Sequence, residues 1–370
     1  MCFSMKEFYP CYSHYVTSIP IKIATLTHMI DTEKLYANAA KLVAKGKGIL
    51  AADQSPESMN KQLKAVLVPE EPEMRRKYRQ LLFTTPGIEQ YVTGVIMHDG
   101  TIRNHTDDGI VFSDLLISKG IIPIIKVDKG TVPHTNFPGE VLTQGLDDLA
   151  KRLQEYYDMG ARAAKWRMVV TISPTTPTIE NLRADAFYLA RYAALCQEAG
   201  IVPMVEPEVL YGGSHDLKRA EAVTTQALQI LFDALHEQKV DNKGLILKSS
   251  MVLAGSEDPN QTTPIEVAEA TLHTFKNAVP EDVGGIVFLS GGQTPERATE
   301  NLDAIAEQEA IRTDLPWEFA FSYSRGIEEP VLKAWVGKDE NIPAAQEALL
   351  KRLRLNSLAD TGAYEKEMEK

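Results

Sequence analysis

The chain has 370 residues, of which 44% are hydrophobic and 24% charged, as in a folded globular protein with a large core. Its net charge of −12 excludes a general nucleic-acid binder, which needs a basic face, and no apolar run has the length of a membrane span. The three cysteines are Cys2, Cys11 and Cys196, so we expect no disulfide framework and favour a reducing, cytoplasmic location.

Residues 1–28 differ from the rest of the chain. The segment is aromatic and nearly uncharged, and it has neither the amphipathic Arg pattern of a transit peptide nor the continuous apolar run of a signal peptide. We interpret it as a flexible N-terminal extension, or as sequence that precedes a true start at Met29.

Eight apolar, β-rich runs recur along the chain, with amphipathic helical stretches between them. Buried parallel strands are typically continuous Val, Ile and Leu runs, and their alternation with helices indicates βαβ units. Eight such units predict a single-domain α/β fold, the (β/α)8 or TIM barrel, over residues 29–358. A polar C-terminal tail, which we expect to be mobile, follows at 359–370. The predicted strands are 48–53, 92–97, 121–127, 163–170, 201–209, 244–252, 284–292 and 317–325. The predicted helices are 31–46, 55–67, 71–85, 108–119, 144–159, 178–199, 215–238, 264–279, 294–308 and 343–356.

Polar and charged residues lie at or near the C-terminal ends of these runs. In a TIM barrel those ends converge at one mouth, where the active site is found. Side chains from distant parts of the chain are therefore expected to meet in one pocket. They are Asp53, Lys126, Lys165, Arg167, Glu206, Lys248, Ser290 and Arg325.

Two of these residues are isolated charges in apolar surroundings. Lys248 lies inside LILKSSM, and a buried barrel strand offers its side chain no surface to reach. We therefore favour an amine with a lowered pKa, able to form a Schiff base with a carbonyl, over a structural lysine. Asp53 follows ILAA, and its alternative role as a helix N-cap is weakened because Ser55 can cap the next helix.

Two pairs of charged residues are spaced two positions apart, so each pair faces one side of its strand. Lys165 and Arg167 form a positive pair, and Glu206 and Glu208 form a negative one. The pattern indicates either a site for an anionic substrate or a purely structural buried charge network. The residues alone leave both interpretations open.

The string LSGGQT at 289–294 also has two interpretations. It resembles the signature of ABC-transporter ATPases, but those proteins need a G-x-x-x-x-G-K-[ST] loop, which is not in the sequence. A glycine-rich turn at a helix N-terminus can instead bind phosphate, and barrels often do so after strands seven and eight. We predict a phosphate site at this turn, with Arg325 following the eighth strand.

The eight histidines form no metal-binding spacing such as H-E-x-x-H. We therefore expect neither a metal nor another cofactor. Only His98 and His134 stand out, because each follows a predicted strand.

Taken together, the segments resemble class I fructose-1,6-bisphosphate aldolase over about 31–358. The strings GKGILAAD, IIPIIKVDKGTVP, AKWRMV, GIVPMVEPE, FLSGGQ and FSYSR occur in the family order. Their combination is specific, although no single string is. The resemblance implies a metal-independent lyase on a TIM barrel that acts in glycolysis and gluconeogenesis. It would cleave fructose 1,6-bisphosphate reversibly to dihydroxyacetone phosphate and glyceraldehyde 3-phosphate through a lysine Schiff base.

The resemblance also implies roles for individual residues. Lys248 matches the Schiff-base lysine, and Glu206 matches the acid that transfers protons as the carbinolamine forms and dehydrates. Lys165 matches the cation beside that acid, and Asp53 the base that takes the C4 hydroxyl proton. The C1 phosphate is expected at Ser290, Gly291 and Arg325. The C6 phosphate is expected at Lys61, Lys126 and Arg167, with Ser55 and Ser58 nearby. Glu208, Gly292 and Ser322 complete the predicted substrate-binding set.

The chain departs from the family pattern at several positions. Gln62 replaces a frequent Arg, Gln54 replaces a usual acid, and Ser249–Ser250 replace the common Pro-Asn after the lysine. The terminal Tyr that aids C3 proton transfer in eukaryotic members has no match, and Tyr364 lies too early in the tail to be equated with it.

The sequence leaves two other functions open. The nearer alternative is a Schiff-base aldolase for monophosphate sugars. The alternative from another class is a scaffold protein that binds a cytoskeletal polymer such as actin, but the set of Asp53, Glu206 and Lys248 favours an active enzyme. The expected partner is a phosphorylated sugar, with no nucleic acid and no membrane. The resemblance implies a homotetramer.

Overall fold

A computed structural model describes residues 31–370. The expectation for 1–28 therefore lies outside the described residues. Eight parallel strands close into a barrel with the neighbour order β1-β10-β9-β8-β7-β6-β3-β2, and β4 and β5 form a separate antiparallel pair. This confirms the predicted (β/α)8 fold. The strands are β1 (Gly48–Ala52), β2 (Val92–Met97), β3 (Ile122–Lys126), β4 (Thr131–Pro133), β5 (Val141–Thr143), β6 (Ala163–Val170), β7 (Val202–Val209), β8 (Ile246–Ser249), β9 (Ile286–Phe288) and β10 (Phe319–Tyr323).

Helices alternate with the barrel strands and cover them. Each predicted helix overlaps an observed one, and each predicted strand contains an observed strand. The helices are α1 (Thr32–Leu42), α2 (Pro56–Ala65), α3 (Pro72–Thr84), α4 (Asp99–Ile102), α5 (Phe112–Ser118), α6 (Leu149–Asp158), α7 (Ile179–Glu198), α8 (Leu217–Glu237), α9 (Pro264–Ala278), α10 (Pro295–Ile311), α11 (Arg325–Trp335) and α12 (Ile342–Ala359).

Helix α11 was not predicted from the sequence. It begins directly after the last barrel strand, and its first turn has no side-chain N-cap hydrogen bond. Pro330 also lies inside it. A proline in a helix interior removes one backbone hydrogen bond, so the sequence at Pro330 argues against a helix here.

The start of α2 follows the sequence signals closely. The Ser55 side chain accepts a hydrogen bond from the backbone N–H of Ser58 at 3.2 Å, and Pro56 occupies the first helical position. Because Ser55 caps this helix, Asp53 is free of that structural role, as the sequence indicated.

The barrel floor is apolar. Inward-facing residues of the strands form one buried cluster, which α1 closes from below through Leu35, Ala39 and Leu42. The backbone of β2 comes close to α1 at Gly94, where a Cβ atom would lie 2.9 Å from Leu42 Cδ2. The strand members of this cluster are Ile49, Ala51, Ile96, Ile122, Ile124, Ala163, Val202, Met204, Ile246, Val287 and Ala320.

The C-terminal tail differs from the mobile segment that its polar sequence predicted. Helix α12 runs to Ala359, and the residues after it fold back onto α10 and α12. Tyr364 is 8% exposed, and its backbone N–H donates to Asp303 Oδ1 at 3.0 Å. Both carboxylate oxygens of Glu369 lie 2.6 Å from Nη1 of Arg352, which is itself buried. A buried guanidinium requires a counter-charge, and Glu369 supplies it.

Within residues 31–370, no helix combines the length and the apolar character needed to cross a membrane.

Candidate active site

The C-terminal ends of the barrel strands surround a cavity of about 1100 Å³. It brings together side chains that are far apart in the sequence, as the strand-end pattern predicted. Residues of the sequence-predicted set that line it are Asp53, Ser55, Ser58, Lys126, Lys165, Arg167, Glu206, Glu208, Lys248, Ser290, Gly291, Gly292, Ser322 and Arg325.

Lys61 is the member of the predicted set that does not line the cavity. Its side chain is exposed on α2, whereas the next residue, Gln62, does line the cavity. Successive residues of an α-helix point about 100° apart, and in this structure it is Gln62 whose direction brings it to the cavity. The structure therefore gives Lys61 no place in the site.

A chain of four buried ionic groups lies at the centre of the cavity. Nζ of Lys165 lies 2.6 Å from Oδ2 of Asp53 and 3.0 Å from Oε2 of Glu206. Nζ of Lys248 lies 3.1 Å from the other carboxylate oxygen, Oε1 of Glu206. Each of the four residues is at most 7% exposed. Two amines and two carboxylates thus alternate, and each charge has an opposite neighbour.

Strand register explains why these groups meet. Lys165 on β6 pairs with Lys126 on β3, and Arg167 on β6 pairs with Glu206 on β7. Residues two apart on a strand face the same side, so the inward side of β6 carries Lys165 and Arg167 while that of β7 carries Glu206 and Glu208. The charged pairs found in the sequence are therefore adjacent in space.

Burial and neighbouring charges act in opposite directions on the two carboxylates. Burial alone would raise the pKa of Asp53, but the positive charges of Lys165 and Lys248 outweigh it and lower that pKa below its usual range. The same balance holds for Glu206, whose pKa is lowered because Lys165 and Lys248 outweigh burial. Both carboxyl groups are therefore ionised and can accept protons.

The two lysines behave differently from each other. Burial lowers the pKa of Lys248, and the attraction of Glu206 offsets this only in part. Burial also opposes the charge of Lys165, but Asp53 and Glu206 together raise its pKa above the usual lysine value. Lys165 thus holds its proton more strongly than a free lysine, whereas Lys248 is the amine that more readily becomes neutral and nucleophilic.

A polar turn forms one end of the cavity, after β9. Gly291 and Gly292 have φ angles of 57° and 93°, in the left-handed region that favours glycine. A Cβ atom on Gly292 would lie 3.3 Å from a terminal nitrogen of Arg325, the first residue of α11. Among residues 31–370, the buried hydroxyl of Ser322 has no hydrogen-bond partner. Two glycines, a serine hydroxyl and a guanidinium thus line a part of the cavity that suits an anion.

The opposite end of the cavity carries further cations. Nζ of Lys126 lies 2.5 Å from Oδ1 and 2.9 Å from the backbone oxygen of Asp128. The guanidinium of Arg167 donates to Glu208, and the hydroxyl groups of Ser55 and Ser58 lie at the start of α2. These cations are already paired, so an anionic ligand would share them with carboxylates.

The β4–β5 hairpin was not predicted, and it supports the loop that follows Lys126. Thr143 at the end of β5 donates its backbone N–H to Oδ1 of Asp185 at 3.2 Å and its hydroxyl to the backbone oxygen of Arg167 at 2.7 Å. The hairpin therefore ties this wall of the cavity to α7 and β6.

Several residues that line the cavity are not in the set predicted from the sequence. His98 had been singled out only because it follows a predicted strand, and Gln54 only as a family departure; both line the cavity. Arg103, the residue after α4, and Arg152 on α6 also line it. The strand-end pattern could not find side chains that reach the cavity from a helix. His134, the other histidine of interest, stacks on Phe137 instead.

Other residues that depart from the family pattern make hydrogen bonds to nearby groups. The hydroxyl of Ser250 donates to the backbone oxygen of Val209 at 3.0 Å, and that of Ser249 to the backbone oxygen of Ser250 at 3.0 Å. The side chain of Tyr364 donates to Glu369 at 3.2 Å and is not among the cavity-lining residues. Across residues 31–370, no group of three or more His, Cys, Asp or Glu side chains is placed to hold a metal ion.

A buried lysine amine in contact with a carboxylate, at the mouth of a TIM barrel, matches the enzymes of the Schiff-base class. A family model described as fructose-bisphosphate aldolase class-I matches residues 34–370. The chain is 46% identical over 337 residues to "Probable fructose-bisphosphate aldolase class 1" of Xanthomonas axonopodis pv. citri. The match covers 90% of this chain and 99% of that protein.

Two further comparisons agree. "Fructose-bisphosphate aldolase 6, cytosolic" of Arabidopsis thaliana is 45% identical over 332 residues, covering 90% of this chain and 92% of that protein. A co-crystal structure of fructose-bisphosphate aldolase from Plasmodium falciparum, in complex with TRAP and a small molecule inhibitor, superposes with a TM-score of 0.87 at 42% identity. The match covers 90% of this chain and 95% of that one.

This chain belongs to the class I fructose-bisphosphate aldolase family. It is a metal-independent aldehyde-lyase that cleaves fructose 1,6-bisphosphate reversibly through a lysine Schiff base, a reaction of glycolysis and gluconeogenesis.

Proposed function

We propose that Lys248 is the lysine that forms the Schiff base. The observation that carries this proposal is its 3% exposure together with the 3.1 Å contact between its Nζ and Oε1 of Glu206. A buried amine that loses its proton readily can attack the C2 carbonyl of the sugar, and the adjacent carboxylate can receive that proton. Lys165 is the poorer candidate, because its two carboxylate contacts keep it charged.

We assign the proton transfers of imine formation to Glu206. Attack by the amine gives a carbinolamine, and water leaves only when its hydroxyl group is protonated. Glu206 lies between both lysines, with one oxygen toward each. It can accept the proton released by the attacking amine and return it to the departing hydroxyl group, while Lys165 stabilises its ionised form.

Asp53 is the base that we assign to the cleavage step. It takes the proton from the C4 hydroxyl group, the C3–C4 bond breaks, and the electron pair moves to the protonated imine, which becomes an enamine. Glyceraldehyde 3-phosphate leaves as the aldehyde. The cations Lys165 and Lys248 keep Asp53 ionised and therefore able to accept the proton.

The two polar ends of the cavity fix the direction of the substrate. We assign the C1 phosphate to Ser290, Gly291, Gly292 and Arg325, with the unpartnered hydroxyl of Ser322 as a further donor. The C6 phosphate is assigned to the end that holds Lys126, Arg167, Ser55, Ser58 and Glu208. Two anchors hold the reacting carbons near Lys248 and reduce the entropy that is lost on reaching the transition state.

The preference for a bisphosphate over a monophosphate sugar depends on the end of the cavity that is assigned to the C6 phosphate. Because Lys126 lies in the cavity, we assign the bisphosphate as the preferred substrate. The replacement of an arginine by Gln62 removes one cation from this side, and this favours some remaining activity on monophosphate sugars.

Location and assembly are part of the same proposal. Close relatives are named cytosolic or cytoplasmic isozymes, and this supports a cytoplasmic location for this chain. A homotetramer follows from the family resemblance. A cytoskeletal partner stays a prediction.

Kinetics on two substrates test the assignment of the phosphate ends. Arg325→Ala should raise KM for both fructose 1,6-bisphosphate and fructose 1-phosphate, because both carry the C1 phosphate. Lys126→Ala should raise it mainly for the bisphosphate. Loss of a charged hydrogen bond corresponds to about ten- to hundredfold in affinity.

Lys61→Ala is the matched control, since Lys61 is an exposed lysine of α2 that does not reach the cavity. It should leave both KM values unchanged. An equal effect of Lys126→Ala on the two substrates would contradict the assignment of the ends. All assays are run with and without EDTA, and activity that EDTA removes and zinc restores would refute the metal-free mechanism.

A further inference from the structure

A buried ion pair lies just outside the cavity, between α3 and α11. Nη1 of Arg79 is 3.1 Å from Oε2 of Glu328, and the two side chains are only 4% and 2% exposed. The hydroxyl group of Tyr78 donates to the backbone oxygen of Glu328 at 3.2 Å, and Met59 packs against the guanidinium. A buried ion pair is weak evidence for stability, because desolvation offsets much of the attraction between the charges. The position of this ion pair beside the cavity wall suits a role in holding cavity residues in place.

Gln54 connects this ion pair to the cavity wall. Its amide nitrogen donates to Oγ of Ser324 at 2.7 Å and to Oε1 of Glu328 at 3.1 Å. Its amide oxygen accepts a hydrogen bond from Arg79. Each polar atom of the Gln54 side chain thus has a partner, and Gln54 and Ser324 both line the cavity.

The two ends of this connection flank functional residues. Gln54 directly follows Asp53, and Ser324 directly precedes Arg325. Ser324 is the N-cap residue of α11, yet its side chain makes no capping hydrogen bond to that helix. Its hydroxyl group is held by Gln54 instead. The start of α11, and with it the backbone of Arg325, is therefore located relative to the end of β1.

We propose that Gln54 is a positioning residue, which fixes the backbone of Arg325 relative to Asp53, and that Arg79 and Glu328 hold its amide in place. The inference rests on the proposed function, because it takes Arg325 as the residue that binds the C1 phosphate. It adds a residue that touches no reacting atom but sets where one phosphate anchor lies.

The charge pattern of the network makes the role specific. The guanidinium of Arg79 contacts one carboxylate, Glu328, and one amide oxygen, Gln54. A carboxylate at position 54 could still accept a hydrogen bond from the Ser324 hydroxyl group, but it would face the carboxylate of Glu328 and be repelled by it. An amide at position 328 would restore one carboxylate and one amide around Arg79. Gln54→Glu and Glu328→Gln should therefore compensate each other.

The test compares Gln54→Glu, Glu328→Gln, the double variant and Gln54→Ala in the full chain. Steady-state KM and kcat are measured on fructose 1,6-bisphosphate and fructose 1-phosphate, with Tm as a separate readout. Gln54→Glu and Gln54→Ala should raise KM for both substrates by about five- to thirtyfold, with a smaller change in kcat. The double variant should return KM to within about threefold of the parent value.

Gln54→Ala guards against a variant that fails to fold, because it leaves the Arg79–Glu328 ion pair intact. Asn60→Ala is the matched control. It removes another polar contact between α2 and α3, the 2.7 Å hydrogen bond from Arg75, and should leave KM unchanged. Unchanged KM in the Gln54 variants, a fall in Tm alone, or a double variant no better than Gln54→Glu would overturn the inference.

Arg325→Ala separates this inference from the function on which it rests. If Arg325→Ala raises KM while the Gln54 variants do not, the positioning role is wrong and the phosphate assignment stands. If Arg325→Ala itself leaves KM unchanged for both substrates, the phosphate assignment is the part that fails.

Discussion

The inward side of the barrel has two levels that are built on the same strands but differ in chemistry. On β8, Ile246 and Lys248 are two residues apart and face the same interior. Ile246 lies in the apolar floor, which α1 closes from below, whereas Lys248 reaches the chain of ionic groups at the mouth. Both residues are at most 3% exposed, so burial alone does not separate the two levels.

The two levels differ in the interactions that make it favourable to bury their side chains. In the floor, apolar side chains fill the space and stabilise the fold by their removal from water. At the mouth, each buried charge needs an opposite one, and Lys165 provides this for both Asp53 and Glu206. The comparison indicates that the apolar floor mainly stabilises the fold, whereas the charged residues at the mouth of the same strands carry the reaction.

The largest effect should come from removing the amine at the upper level. Lys248→Met keeps an unbranched side chain one heavy atom shorter but cannot form an imine, so kcat/KM should fall by about 10⁴-fold or more. The fold should remain, because Lys165 still compensates Glu206. Cleavage rates and a circular dichroism melt check both parts. Substantial remaining activity would show that the reacting amine belongs to a different residue.

The smallest effect should come from the matched change two residues away. Ile246→Val removes one methyl group from the floor and should lower the free energy of unfolding by about 0.5–1.5 kcal/mol. Both kcat and KM should stay at their parent values, because Ile246 does not line the cavity. Denaturant unfolding and steady-state kinetics measure the two quantities. A change in kcat without a change in stability would mean that the two levels are not independent.

The sequence was informative where local pattern decides structure. Continuous apolar runs predicted the strands, and charges at their ends predicted that Asp53, Glu206 and Lys248 would meet, because parallel strands end at one mouth. The spacing of Lys165 and Arg167 also predicted a shared face, and the register bears this out.

It was less informative where orientation or distant partners decide structure. Lys61 and Gln62 are adjacent, and only the rotation of α2 determines which one faces the cavity. The partners of Gln54 lie 25, 270 and 274 positions away, beyond any local pattern. The docked tail depends in the same way on Arg352, which pairs with Glu369. The sequence does not indicate that Arg352 is buried, because its burial results from the packing of α12.

Covalent trapping tests the central claim most directly, since the claim is that the buried amine of Lys248 forms the imine. The full chain is incubated with dihydroxyacetone phosphate and borohydride, digested, and mapped by mass spectrometry. The account predicts loss of activity and the mass of the reduced adduct on the peptide that contains Lys248, with no adduct in Lys248→Met. An adduct on Lys165, or inactivation without any lysine adduct, would contradict it.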